Sequence, residues 1–147
     1  MNIVVAFDHR GVKLREAVFA ALEGHDVLDL GTDQPWPRID YPDKAQEIGD
    51  AIRAGRAERG VLVCGSGVGA AVAACKLNGI RAAICHDTYS AHQGVEHDDM
   101  NVLCLGSEVV GPELTGELIR AFVHASFVAE ERYVRRLQKV EAMERED

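Results

Sequence analysis

The chain lacks an apolar run long enough to span a bilayer, and its first residues lack the basic segment of a signal peptide. Residues 1–7 instead predict a buried first strand, so we expect a cytoplasmic protein. With a net charge of −8, the chain also lacks the basic character that favours non-specific binding to nucleic acid or anionic membranes. Its 147 residues suit a single domain spanning residues 1–147.

The four cysteines form neither a C-x-x-C pair nor a Cys/His cluster with the spacing of a zinc site. Cys85 and Cys104 lie inside apolar runs typical of strands, where a small buried thiol is common. We therefore expect reduced thiols and no disulfide framework.

Short runs rich in valine and isoleucine alternate with segments of helical period. The runs cover residues 3–7, 27–30, 61–64, 80–85 and 102–105. They are almost continuously apolar, as are strands buried on both faces of a parallel sheet. The alternation predicts an α/β fold with helices on both faces of that sheet. A charged helix over about residues 129–145 has only a thin apolar stripe, so we expect it to pack on a partner subunit.

The most informative segment is a strand, three alternating glycines and an alanine-rich helix, which together cover residues 61–74. Glycine lets the main chain approach a ligand closely, and the N–H groups at a helix start attract anions. Cys64 ends the strand beside these donors, where a thiolate is favoured and can act as a base or nucleophile. A buried structural cysteine is the alternative interpretation of this position.

The same glycines also fit the dinucleotide fingerprint G-x-G-x-x-A, and Asp87 lies near the end of the next predicted strand. A nucleotide-binding oxidoreductase is therefore an alternative function. A Walker phosphate-binding loop is excluded, because no Gly-Lys-Ser or Gly-Lys-Thr follows these glycines.

Other polar residues lie near predicted strand ends, and ligands of open parallel sheets bind beyond the carboxyl ends of the strands. Asp8 and His9 follow the first strand, where Asp8 either takes part in catalysis or caps the next helix. His97 precedes the last strand and is either an acid–base group or simply solvated. Arg132, Arg135 and Arg136 either bind a phosphate or belong to a solvated helix face.

Together these segments resemble the ribose-5-phosphate isomerase B family, with its galactose-6-phosphate and allose-6-phosphate isomerase relatives. The resemblance spans about the whole chain, in family order. It is carried by Asp8-His9-x-Gly11, Asp40-Tyr41-Pro42, Cys64-Gly65-Ser66-Gly67-Val68-Gly69, Lys76-x-x-Gly79-Ile80-Arg81-Ala82-Ala83, His97-x-x-x-Asn101-Val102-Leu103, Gly106-Ser107 and Arg132-x-x-x-Arg136.

The resemblance implies a Rossmann-like three-layer sandwich around a five-stranded parallel sheet. It also implies a homodimer with active sites shared between subunits, sometimes paired into tetramers. The implied reaction interconverts ribose 5-phosphate and ribulose 5-phosphate, a step of the pentose phosphate pathway. It would pass through an enediolate and use no metal or other cofactor.

The resemblance further implies roles for individual residues. Cys64 would move the proton between neighbouring sugar carbons, and Ser66 with the main-chain N–H groups of residues 65–70 would hold the enediolate oxygen. Asp8 and His97 would open the sugar ring by acid–base catalysis. The implied substrate-binding residues, some of them acting across the dimer interface, are His9, Tyr41, Gly65, Gly67, Val68, Gly69, Asp98, Arg132 and Arg136.

Two departures from the family pattern leave the sugar open. Asp98 stands where an asparagine is usual, and Glu108 stands where many members carry an arginine. Two acids near a phosphate weaken anion binding. Allose 6-phosphate, galactose 6-phosphate and a tetrose phosphate therefore remain alternatives to ribose 5-phosphate, as does a sugar-phosphate sensor without turnover.

Overall fold

The computed structural model describes residues 1–145, which form one parallel sheet covered by helices. The strands are β1 (Asn2–Phe7), β2 (Asp26–Asp29), β3 (Arg59–Cys64), β4 (Ala82–Ile84) and β5 (Val102–Gly106). Their order across the sheet is β2-β1-β3-β5-β4, with every neighbouring pair parallel. A 3-10 helix (Gly11–Leu14) precedes the α-helices, which are α1 (Arg15–Ala21), α2 (Tyr41–Arg53), α3 (Val68–Ala74), α4 (Thr88–Asp98), α5 (Pro112–His124) and α6 (Glu131–Glu144).

The two faces of the sheet follow from the two-residue period of a strand. In β1, Ile3 and Val5 belong to the apolar cluster with α1, α4 and α5, whereas Val4 and Ala6 belong to the cluster with α2 and α3. All four side chains are completely buried. Because both faces are covered, near-continuous apolar strands are required. The predicted three-layer α/β architecture with five parallel strands is confirmed.

β4 is shorter than the apolar run of residues 80–85 predicts. Before the strand begins, the side chain of Asn101 accepts a hydrogen bond from the Arg81 N–H (2.8 Å) and donates one to the Gly79 carbonyl (2.9 Å). Regular strand structure therefore begins only at Ala82. An amide side chain that replaces a strand partner leaves no trace in the hydrophobic pattern.

Two of the helices carry a proline in the first turn. Pro42 and Pro112 lie in the first turns of α2 and α5, where a proline loses no hydrogen bond. The loop of residues 30–40 precedes α2 and holds Trp36, which is 72% exposed. None of the helices within residues 1–145 is long and apolar enough to cross a membrane.

The topology sets the place of the site. From β1 the sheet extends to β2 on one side and to β3 on the other, so the carboxyl ends of β1 and β3 adjoin where the strand order reverses. Phe7 pairs with Val63 in the β1–β3 register. Asp8 and Cys64, one residue further along each strand, therefore lie at the point where ligands of open α/β sheets bind.

Substitution of Gly11 tests how tightly this edge is packed. A Cβ at Gly11 would lie 2.1 Å from the Val63 carbonyl oxygen, which belongs to the main chain of β3 and cannot swing aside. We expect Gly11→Ala to lower the free energy of unfolding by about 1–3 kcal/mol. In Gly111→Ala, the matched control, the new Cβ would meet no atom within 4 Å. Urea unfolding measures both variants, and equal midpoints would contradict the close packing.

Candidate active site

The glycine turn, residues 64–70, packs directly on the end of β5. The Ser107 N–H donates to the Cys64 carbonyl (2.8 Å), and the Glu108 N–H donates to the Gly65 carbonyl (2.9 Å). A Cβ at Gly106 would lie 2.5 Å from the carbonyl carbon of Ser66. Gly67 has a φ of +83°, which side chains disfavour. Main-chain contacts thus fix the direction in which the N–H groups of the turn point.

The Cys64 thiol lies inside this turn. The Gly67 N–H donates a hydrogen bond to Cys64 Sγ at 3.2 Å. The residue is only 4% exposed and belongs to the apolar cluster on the α2–α3 face. The sulfur is therefore next to the glycine turn, with a narrow approach from solvent.

Within residues 1–145, no N–H group donates to the thiol of Cys85 or Cys104. Burial raises the pKa of the Cys85 thiol to about 11, and it raises the pKa of Cys104 well above its ordinary value. Both side chains lie in the core, as their apolar surroundings in the sequence predict. The four cysteines are all free, as expected.

The turn holds two kinds of hydrogen-bond donor. Ser66 is exposed, and its Oγ accepts a hydrogen bond from the Val68 N–H (3.2 Å), which leaves the hydroxyl proton free to donate. The N–H groups of Gly69 and Ala70 have no acceptor within residues 1–145. The ring of Tyr41 lies over Gly69, where a Cβ would be 2.6 Å from Tyr41 Cζ. The turn can therefore hold an oxyanion beneath an aromatic ring.

Asp8 and His9 lie at the same edge of the sheet. Asp8 Oδ1 accepts hydrogen bonds from the Arg10 N–H (2.9 Å) and the Gly11 N–H (2.8 Å), so this carboxylate does cap the 3-10 helix. The residue is 4% exposed. His9 Nδ1 lies 3.0 Å from the Ile39 N and 3.2 Å from the Ile39 carbonyl oxygen. His9 thereby ties the loop of residues 30–40 to the site.

His97 lies elsewhere in the same chain. Its ring stacks on that of Tyr133, with centroids 4.2 Å apart, and its Nδ1 is 2.7 Å from Gln93 Nε2. Arg132 Cζ lies 4.8 Å from the Tyr133 centroid, and Arg132 forms an ion pair with Glu130 at 3.1 Å. Asp98, Arg132 and Arg136 are exposed. These residues form a second group at the contact between α4 and α6.

The two groups are at opposite edges of the sheet within one chain. α4 starts after the carboxyl end of β4 and ends before the amino end of β5, so its last residues lie at the amino edge. An α-helix of 11 residues is about 16 Å long. The structure therefore gathers Asp8, His9, Tyr41 and residues 64–69 at one edge, but it does not bring His97, Asp98 or the arginines to Cys64.

The sequence profile of the Ribose/Galactose Isomerase family matches residues 3–140. The chain belongs to the Ribose/Galactose Isomerase family. As a member of this family it is a sugar-phosphate isomerase, which replaces the dinucleotide-binding interpretation of the glycine turn.

Three relatives illustrate the range of the Ribose/Galactose Isomerase family. Ribose-5-phosphate isomerase B of Escherichia coli is 38% identical over 97% of this chain and 96% of its own. D-erythrulose-4-phosphate isomerase of Pectobacterium atrosepticum is 39% identical over 86% of this chain and 85% of its own. Ribose-5-phosphate isomerase B of Mycoplasma genitalium, whose structure contains bound ribulose-5-phosphate, is 33% identical in sequence. The two structures superpose with a TM-score of 0.90 over 99% of this chain and 97% of that one.

Two residues beside the glycine turn were not among the predicted site residues. The guanidinium of Arg10 lies against Gly65, where a Cβ would be 2.3 Å from Arg10 Cζ. His86 Nε2 accepts the Gly106 N–H (3.0 Å), beneath the turn. The position of His86 after a strand was a usable signal, whereas nothing in the pattern shows how far an arginine side chain reaches.

His86 should make stability depend on pH. Burial lowers the pKa of His86 below its usual range, which the Asp87 charge offsets only in part. Below the unfolded pKa of about 6.5 the unfolded chain binds more protons than the folded one, so stability falls as the pH drops from 6.5 toward the folded pKa. In His86→Gln the part of the stability loss that arises from protonation of His86 should vanish.

Thermal melts between pH 7.5 and 5.5 measure the effect. His124→Gln, which changes an exposed histidine at the end of α5, is the control and should keep the wild-type slope. If His86→Gln retains the full pH slope, His86 is not the group responsible.

Proposed function

We propose that the chain interconverts ribose 5-phosphate and ribulose 5-phosphate through an enediolate, with Cys64 as the carbon base and without a metal. The observation that carries the proposal is the position of Cys64 Sγ, 3.2 Å from the Gly67 N–H in a turn whose Gly69 and Ala70 N–H groups have no acceptor within residues 1–145. A base and a set of fixed donors thus share one turn.

The chemistry uses the turn in two ways. The Cys64 thiolate takes the proton from C2 of the open-chain aldose, the C2–H electron pair forms the C1–C2 double bond, and the carbonyl electrons move onto O1. The thiol then returns that proton to C1, while the O2 proton moves to O1, which yields the ketose. The same atoms are present before and after, so the thiolate is regenerated.

The developing negative charge on the sugar oxygens requires donors that are already in place. The hydroxyl of Ser66 and the N–H groups of Gly69 and Ala70 are fixed before substrate binds, so little reorganisation is needed. Asp8 keeps one oxygen, Oδ2, free of hydrogen bonds within residues 1–145, and we assign to it the proton transfer that opens the sugar ring.

A second copy of the chain completes the site in this proposal. Ring opening needs a second acid–base group, and His97 of the same chain lies at the opposite edge of the sheet. A dimer in which α4 and α6 of one chain face the glycine turn of the other would supply His97, Arg132 and Arg136. The exposed Val68 and Val72 on α3, beside the half-buried edge strand β4, offer an apolar surface for such a contact.

The choice of ribose 5-phosphate rests on two of the relatives. One is named a ribose-5-phosphate isomerase, and another binds ribulose 5-phosphate in its structure. D-erythrulose 4-phosphate is the second candidate, because a D-erythrulose-4-phosphate isomerase is equally similar in sequence.

Removal of the Cys64 thiol tests the base. We expect Cys64→Ala to lower kcat by about 100- to 10 000-fold while ribose 5-phosphate still binds, because the variant loses the proton acceptor but keeps the donors of the turn. Cys75→Ala is the matched control, since Cys75 is an exposed thiol at the end of α3 and should be dispensable. Turnover and binding are measured with a chelator present.

The same assay, run on a panel of sugar phosphates, tests the substrate. The panel holds ribose 5-phosphate, allose 6-phosphate, galactose 6-phosphate and D-erythrulose 4-phosphate. A clear preference for a sugar other than ribose 5-phosphate would overturn the named substrate, and full turnover by Cys64→Ala would overturn the base. Binding of sugar phosphates with no turnover on any of them would favour a sensor.

Mixing two inactive variants tests whether the sites are shared. Cys64→Ala and His97→Phe, which keeps a flat ring on Tyr133, should each be inactive alone. Random reassembly of equal amounts should restore about a quarter of wild-type activity, since one of the two sites in each mixed dimer is intact. The assay follows refolding of the mixture. No recovery, in a mixture shown to contain mixed dimers, would mean that one chain supplies both residues.

A further inference from the structure

Arg10 occupies a defined position on the glycine turn. A Cβ added to Gly65 would lie 2.3 Å from Cζ, 2.4 Å from Nη1 and 2.6 Å from Nε of Arg10. Because three atoms of the planar group come equally close to one point, the guanidinium lies flat on Gly65. Gly65 directly follows Cys64, so the positive charge lies against the residue next to the one that carries the thiol.

Two buried side chains hold the main chain of Arg10. Its N–H donates to Asp8 Oδ1 (2.9 Å), and its carbonyl accepts from the Ser107 hydroxyl (2.8 Å). Asp8 and Ser107 are 4% and 3% exposed. The arginine therefore starts from a rigid point at the carboxyl ends of β1 and β5, and glycine at position 65 provides the space into which its side chain extends.

The Arg10 charge has no carboxylate partner within residues 1–145. None of the ion pairs within these residues contains Arg10, whereas the nearby Lys13 pairs with Glu108 at 3.3 Å. The Arg10 side chain also makes no hydrogen bond in this part of the molecule, and the residue is exposed. A guanidinium has five N–H donors in one plane, and here they remain available to a ligand.

We propose that Arg10 is a further catalytic residue, which donates hydrogen bonds to the oxygens on the reacting carbons of the sugar and stabilises the enediolate. This inference rests on the proposed function. Cys64 must touch the hydrogen on C1 or C2, so a cation on the adjacent residue lies near O1 and O2. The phosphate is at the other end of the carbon chain. A fixed charge beside a developing oxyanion stabilises the transition state more than the ground state.

Substitution of Arg10 separates this role from phosphate binding. We expect Arg10→Met to lower kcat by about 100-fold with KM changed by less than about threefold, because an interaction formed only in the transition state is lost. Arg10→Lys should recover part of the loss. Lys13→Met removes a nearby cation that already has a partner and should keep wild-type turnover. Melting temperatures within about 2 °C of wild type would establish that each variant folds normally.

The contact with Gly65 provides an independent test. Gly65→Ala needs only the flexible end of Arg10 to move, so it should displace the guanidinium and lower kcat, with the fold retained. Once Arg10 is methionine, the second change should cost little, and the two losses should not add. Additive losses would mean that Gly65 and Arg10 act separately and would overturn the proposed contact.

Ligand affinities distinguish the remaining outcomes. A phosphorylated aldonohydroxamate, which imitates the enediolate, should lose more affinity in Arg10→Met than inorganic phosphate does. Equal losses for both ligands would assign Arg10 to the phosphate instead, and an unchanged kcat would exclude the catalytic role. If the wild-type chain turns over no sugar phosphate, the proposed function fails. If the wild-type chain is active and the Arg10 variants are equally active, this inference alone fails.

Discussion

Direct packing of main chain on main chain at the carboxyl edge of the sheet is the constraint on which the site depends. Gly11 lies against the Val63 carbonyl, and Gly106 lies against Ser66, with no space for a Cβ at either place. The strand ends therefore approach closely enough for Ser107 and Glu108 to bond the carbonyls of the turn. Any side chain at these glycines would separate the elements that hold the thiol and the donors.

The four cysteines show how one residue type acquires different chemistry from its surroundings. Cys85 and Cys104 are buried among apolar atoms, which disfavour a charge and raise the pKa of each thiol. Cys64 is nearly as buried, yet it receives an N–H from Gly67 because the turn folds back over it. The difference comes from three residues of local sequence, since the glycines after Cys64 allow the chain to turn there.

Much of the fold, and the grouping of half of the candidate site residues at one edge of the sheet, could be predicted from local sequence. Apolar runs indicate burial on both faces of a sheet, and the glycines after Cys64 indicate a tight turn. Each of these patterns lies within a few consecutive residues. The position of His97 could not be predicted in this way. Whether a residue before a strand lies at the carboxyl or amino edge depends on the direction of the preceding helix and on strand order. The contact of Arg10 with Gly65 could not be predicted either, because it depends on the conformation of a long side chain. The delayed start of β4 depends on the hydrogen bond between the Asn101 side chain and the Arg81 N–H, which the hydrophobic pattern does not show.

The separation of the acid–base groups makes the proposed activity a property of an assembly. Stability of the contact between chains would then limit the number of complete sites at low protein concentration. In the single chain the sheet and the glycine turn are buried, whereas Val140 and Met143 on α6 remain exposed. An isolated chain of this kind would carry a base without its full set of acid–base partners.

The loop of residues 30–40 gives the molecule an internal optical reporter. Trp36 is the sole tryptophan of the sequence, and its indole is largely in water. Three residues later, Ile39 is held by His9 at the site. Tryptophan emission depends on contact with water, so a movement of this loop that changed the exposure of the indole would change the fluorescence. A ligand that moved the loop could thus be followed without a dye or a coupled enzyme.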